Sequence, residues 1–309
     1  MSLFAAQGEL ERVLALSALA VAGLVVWLVL AVRACRRAPI LPREPRRPVP
    51  WGLPDLLMVL VVFLGLQAGM LFAAERLLGP EAIRGPTMYD VDKADTEHLI
   101  TRLIEHGRSN PAVLILCGLA AVVAAPIAEE FLYRLLLQGW LERLWEEHRG
   151  QMPLLRRVLP GGIGPILLVA VVFAQAHFRV ATAPEAPQIL LLRLIGGGAA
   201  SLATVVFAVV LLKCRVGATA ADLGWNREKL PGDAARGVLA FLLIAAPLYA
   251  AQMGLRSFLP KYIPPDPFTL FPFAVLLGFL YYHTHRLAPA IVLHMSLNAT
   301  TLLVLWLAP

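Results

Sequence analysis

Two adjacent carboxylates, Glu129 and Glu130, stand in the middle of an apolar stretch, with Arg134 four residues further on. A charge at the centre of a membrane helix costs at least about 2.5–3.5 kcal/mol, so three charges within about a turn and a half require a reason. At about 100° per residue, Glu130 and Arg134 fall on nearly one helix face at i,i+4 and can neutralise each other. Glu129 is turned about 100° from Glu130 and has no evident partner on its own helix. A carboxylate so placed can take a proton from water, the task of a general base. The plainer alternative is a structural ion pair with a second acid reaching a polar cavity.

Two further clusters lie downstream. Phe173-Ala174-Gln175-Ala176-His177 closes an apolar run and sets Phe173 and His177 at i,i+4, where the ring can pack beside the imidazole. Alone, a histidine at a helix end is an interfacial residue. His294-Met295-Ser296-Leu297-Asn298 lies within the last apolar run and puts His294 and Asn298 on one face. An imidazole and a carboxamide on one face can donate to a developing oxyanion, bind a metal, or make an interhelical hydrogen bond worth about 0.6 kcal/mol on average in a bilayer. Together the clusters put two carboxylates, an arginine, two histidines and an asparagine into three apolar helices, which is equipment for hydrolysis.

The elements that must carry these groups are apolar. The chain has 59% hydrophobic and 16% charged residues and a mean hydropathy of +0.71; soluble domains carry about 25% charged residues. The apolar runs are Val13 to Val32, Pro54 to Ala74, Pro111 to about Trp140, Gly161 to Phe178, Ile189 to Leu212, Val238 to Leu255, Phe268 to Tyr282 and Ala288 to Leu307. The fold class is therefore all-α: a polytopic integral membrane protein with about eight transmembrane helices. An amphipathic helix is expected around His98 to His106, and a charged loop from Leu141 to Pro160. The first run follows Glu9 and Glu11 and has no small-residue cleavage site, so it reads as a retained helix.

The linker Arg33 to Pro50 holds six arginines against Glu44 alone. That places the linker in the cytoplasm and the N-terminus outside. The net charge of +6 then reads as loop arginines facing anionic lipid, and no nucleic-acid partner is expected. Three cysteines, Cys35, Cys117 and Cys214, have no metal or disulfide spacing. Counting helices from the linker raises a difficulty: Glu129 and His294 fall in the inner halves of their helices, and His177 nearer the outer end.

The ordered set Glu129-Glu130-x-x-x-Arg134, Phe173-x-x-x-His177 and His294-x-x-x-Asn298 resembles the CPBP family, the type II CAAX prenyl endopeptidases and their bacterial bacteriocin-processing and immunity relatives. Leu277 to Tyr282 and Leu287 to Ile291 fit that family's approach to the third motif, and the resemblance covers about Pro111 to Thr300. It implies an all-helical fold with a cavity open to one side of the membrane. It also implies that Glu129 with His177 activates water, that His294 and Asn298 form the oxyanion site, and that Glu130 and Arg134, with Phe173 beside them, support it.

Two departures stand out. About 80 residues, roughly 182–262, separate the second and third motifs and carry two extra helices, with Arg193 in one of them unexplained. The small-residue spacing before the third motif reads Ala274-x-x-x-Gly278. The expected organisation is thus a two-helix membrane region with a basic linker and polar loop over residues 1–110, then a catalytic core over 111–309 with the insertion inside it.

The leading expectation is an intramembrane endopeptidase of the plasma membrane of a bacterium, acting on a peptide or protein substrate near or in the bilayer. The alternative is a non-catalytic scaffold, immunity or transport protein using the same polar helices. No cofactor is expected. Zinc on Glu129, His177 and His294 is the other mechanism left open, although no His-Glu-x-x-His motif is present. His283-Thr284-His285 reads as an interfacial turn.

Overall fold

The computed structural model describes residues 3–41, 43–45, 48–79, 111–148, 159, 161–178, 187–259 and 266–307. The helix expected around residues 98–106 lies outside them. Among the described residues the chain is all-helical: α1 (Leu3–Cys35), α2 (Leu53–Leu78), α3 (residues 111–147), α4 (Ile163–Ala176), α5 (Pro187–Val216), α6 (Leu230–Phe258), α7 (Asp266–Thr284) and α8 (Ala288–Trp306). Seven are long and apolar enough to cross a bilayer. The eighth, α4, has 14 residues, about 21 Å at 1.5 Å per residue. Large apolar side chains such as Leu24, Val61 and Val206 lie on the outside, the face such helices present to lipid. This is an integral membrane protein.

The third span departs from the expected geometry. Its backbone is π-helical at Leu119–Ala124 and at Glu130–Gln138, on either side of Ala125–Glu129. Wide turns of this kind are rare and concentrate at functional sites. The assumed 100° per residue therefore does not hold along this helix. The span also continues to Glu147 where a loop was expected from Leu141. Its charged residues there are partnered within the protein: Gln138 Nε2 donates to Glu142 Oε1 at 2.7 Å, Arg143 pairs with Glu147 at 2.7 Å, and Arg143 Nη1 donates to the carbonyls of Val49 and Trp51.

Helices that share a bilayer cannot gain by hiding from water, so they associate through close packing and polar contacts. α1 lies on α6: a Cβ at Gly23 would stand 2.8 Å from Leu242 O. Trp27 Nε1 donates to Leu243 O at 3.0 Å, the carbonyl four residues before Pro247, which has no N–H to offer it. α2 lies on α5, where Gln67 reaches Gly197 O and Ser201 Oγ. The two helices of the insertion thus receive the two N-terminal helices. α6 also packs on α8, and α7 on α4. One buried cluster joins Phe173, Phe273, Leu277, Leu293 and Leu297; a second joins Trp51, Phe131, Leu135, Leu212 and Tyr281.

One end of the molecule is tied by charge. Arg286, in the turn between α7 and α8, pairs with Asp233 of α6 and with Glu44 of the linker, and Lys229 pairs with Glu44 at 2.9 Å. Leu287 N–H donates to Gly224 O. The linker, the loop before α6 and the α7–α8 turn therefore share one face. Burial pushes the Glu44 carboxyl up, but hydrogen bonds from Arg286 and Lys229 outweigh it and hold its pKa at about 2. Thr284 ends α7 and His285 takes a positive φ of 51°, so His283-Thr284-His285 is part of this turn.

Candidate active site

Three helices bring the singled-out residues together. Glu129 ends the α-helical stretch between the two π segments of α3. His177 is the C-cap of α4, and His294 lies in α8. Glu129 Oε2 stands 3.5 Å from His177 Nε2 and 4.0 Å from His294 Nε2. The depth difficulty disappears because α4 is short: it starts beside Trp145 and Tyr282 at the charged end, where Gly162 and Gly164 touch their rings, and stops level with Glu129.

Both imidazoles are oriented through Nδ1. His177 Nδ1 lies 2.7 Å from Phe173 O. A carbonyl only accepts, so Nδ1 carries the hydrogen and Nε2 is turned to Glu129. His294 Nδ1 lies 2.9 Å from Glu130 Oε1, while Arg134 Nε donates to the other oxygen, Oε2, at 3.2 Å. Glu130 thus sits between the Arg134 guanidinium and the His294 ring, all three buried: Glu130 and Arg134 are 0% exposed and His294 4%. Glu129 and His177 differ, with side chains 27% and 30% exposed. The adjacent acids are one sealed and one open.

Phe173 is fully buried and is the packing centre of the site. Its ring lies 4.5 Å from the His177 ring, 5.9 Å from the His294 ring and 5.1 Å from Tyr133, and the Arg134 guanidinium lies over it at 5.4 Å. Phe273 flanks His294 from the other side at 5.3 Å.

Asn298, one turn along α8 from His294, bonds to the α3 backbone rather than to the side chains of this cluster. Its Nδ2 donates at 2.8 Å to the backbone carbonyl of Ala121, whereas His294 turns to Glu130. The two side chains meet α3 at positions nine residues apart. Among the described residues no group of three or more His, Cys, Asp or Glu side chains is arranged to hold a metal.

The family model of the type II CAAX prenyl endopeptidases, Rce1-like, matches residues 111–300. The chain belongs to that family. No curated protein and no solved structure matches it. The Rce1-like match contains all three motifs and both insertion helices, so α5 and α6 fall within the matched region. Neither of them lies between Glu129 and His294, since His294 bonds directly to Glu130. The family is one of peptidases.

Several residues of this Rce1-like site were not singled out by spacing. Tyr133 and Phe273 carry no polar pattern to mark them. Gln138 and Glu142 continue the buried stripe of Glu130 and Arg134 at i,i+4, and all four are nearly inaccessible. That stripe was present in the sequence, as a charge-bearing face carried beyond the expected helix end. Gly278 of Ala274-x-x-x-Gly278 does make a close contact: a Cβ there would stand 2.9 Å from Gln138 Oε1.

Proposed function

We propose that this chain is an intramembrane endopeptidase that hydrolyses a peptide bond by metal-free activation of water. The observation that carries the reading is the convergence of the Glu129 carboxylate with two oriented imidazole Nε2 atoms. Glu129 Oε2 and His177 Nε2 face each other at 3.5 Å, and the nucleophilic water is held beside them as a donor to the carboxylate. Glu129 takes a proton from that water as its oxygen bonds the scissile carbonyl carbon. The carbonyl oxygen, now negative, accepts from Asn298 Nδ2–H and from the Nε2–H of a His294 protonated at both ring nitrogens, whose Nδ1–H is held by Glu130. As the tetrahedral centre collapses, the C–N bond breaks and Glu129 returns the proton to the leaving nitrogen.

Glu130 holds His294 by Nδ1 and Arg134 holds Glu130, so both support the site rather than react. The substrate that the family suggests is a membrane-anchored peptide ending in a prenylated CAAX sequence. The positive-inside bias of the linker supports a plasma membrane orientation with residues 33–50 in the cytoplasm and the N-terminus outside.

The test is cleavage of a farnesylated CAAX peptide, and of its unprenylated counterpart, by purified protein in detergent. Wild type should cleave and Glu129→Gln should not, with metal analysis of the same preparation showing no stoichiometric zinc. A Glu129→Gln protein with full activity removes the assignment, and stoichiometric zinc required for turnover replaces the mechanism.

A further inference from the structure

The π-helical turn Leu119–Ala124 is closely followed by a proline whose place in the hydrogen-bond register accounts for Asn298. At this point α3 pairs five residues apart: the Ala125 N–H donates to Ala120 O. The next bond in that register would run from residue 126 to Ala121 O. Residue 126 is Pro126, which has no N–H. At membrane depth no water replaces the missing donor, and an unmet carbonyl is strongly unfavourable. Asn298 Nδ2 supplies the bond at 2.8 Å. The same solution is seen among the described residues at Pro247, which leaves Leu243 O to be taken by Trp27 Nε1 of another helix.

We propose that Pro126 is a positioning residue for Asn298. By withholding an N–H it leaves Ala121 O as a fixed acceptor, and that acceptor locks the carboxamide of α8 onto α3 one turn from His294. One of the two Nδ2 hydrogens is used in this way. The second N–H and Oδ1 are thereby set in orientation relative to Glu129 and His294. In its catalytic consequence the proposal rests on the endopeptidase reading above; in its structural content it stands apart from it.

The test is a double-mutant cycle on the full chain in detergent. Asn298→Ala should lower the melting temperature when Pro126 is present. In a Pro126→Ala background it should have no further effect, because the amide at position 126 takes over Ala121 O. An equal drop in both backgrounds overturns the link. If Asn298→Ala does not fold, hydrogen exchange in Pro126→Ala alone decides: a protected amide at position 126 supports the link and a rapidly exchanging one overturns it.

With a farnesylated CAAX peptide as the probe, Pro126→Ala should lower kcat by about tenfold or more with KM nearly unchanged. Losing an oxyanion donor altogether costs about 10²–10³-fold, so a displaced donor should cost less. An unchanged kcat overturns the positioning role. Absence of cleavage by wild type overturns the endopeptidase reading and this consequence with it, while the melting and exchange arms judge the Pro126–Asn298 link by themselves.

Discussion

Glu129→Gln keeps the shape of the side chain and removes its capacity to take a proton. Its carboxylate is partly open and faces imidazoles at 3.5 and 4.0 Å, so the variant should fold normally and lose cleavage. Melting in detergent beside the peptide assay checks both halves. Glu130→Gln should do the reverse first. It leaves Arg134 uncompensated and 0% exposed and releases His294 Nδ1, and breaking such a buried pair costs about 3–5 kcal/mol. A Glu130→Gln protein as stable as wild type would show that the Arg134 charge is met elsewhere. The pairing of Glu130 with Arg134 was legible from i,i+4 spacing. The bond from Glu130 to His294 was not, because residues 164 apart in sequence have no spacing that reports a contact across helices.

Eight apolar helices could be read from run lengths, and the membrane character of the chain with them. What one-dimensional pattern missed is the backbone itself. A π turn leaves no compositional mark, and Leu119–Ala124 is simply an apolar run. The extension of α3 past Leu141 was hidden for the opposite reason: Glu142 and Arg143 read as solvated charges until Gln138, Val49 and Trp51 are seen to receive them. The small-residue spacing at Ala274-x-x-x-Gly278 gave a usable expectation of close packing. Gly278→Ala puts a methyl 2.9 Å from Gln138 Oε1 and 3.0 Å from Ile166 Cγ2. The expected cost is about 1–3 kcal/mol, seen as a lower melting temperature; an unchanged melting temperature would show that Gln138 swings away freely.

Across the whole molecule, the linker is bound to the start of α6 and the α7–α8 turn by ionic contacts at one end. The Glu44 carboxyl titrates near 2 when folded against an ordinary 4.5. A depressed pKa contributes stability that is fully present above the unfolded value and is lost as pH falls through the folded one. Linker attachment should therefore weaken between about pH 4.5 and 2, read as faster proteolysis of residues 33–50, and Glu44→Gln should flatten that dependence. Orientation has a direct probe in the native cysteines. Cys35 and Cys214 are exposed, at the ends of α1 and α5 beside the charged face, and Cys117 is buried. An impermeant thiol reagent should label both in inverted vesicles and neither in intact cells. Labelling from outside would reverse the orientation.

The shortness of α4 acts on the lipid as well as on the protein. Its outward residues Leu168, Val171 and Val172 are exposed along a helix of about 21 Å, whereas the hydrocarbon core is about 30 Å thick. Hydrophobic mismatch of that size is relieved by local thinning of the bilayer. Headgroups and water then dip toward the end of α4, and the residue at that end is His177. On the proposed mechanism the deformed annulus would bring solvent and a surface-bound chain to Glu129 and His177 without a channel through the protein. Bilayer thickness thereby becomes a variable of the reaction. Turnover in liposomes should be higher with short-chain lipids than with long-chain ones, and a rate independent of chain length would show that α4 does not set the local depth of the membrane.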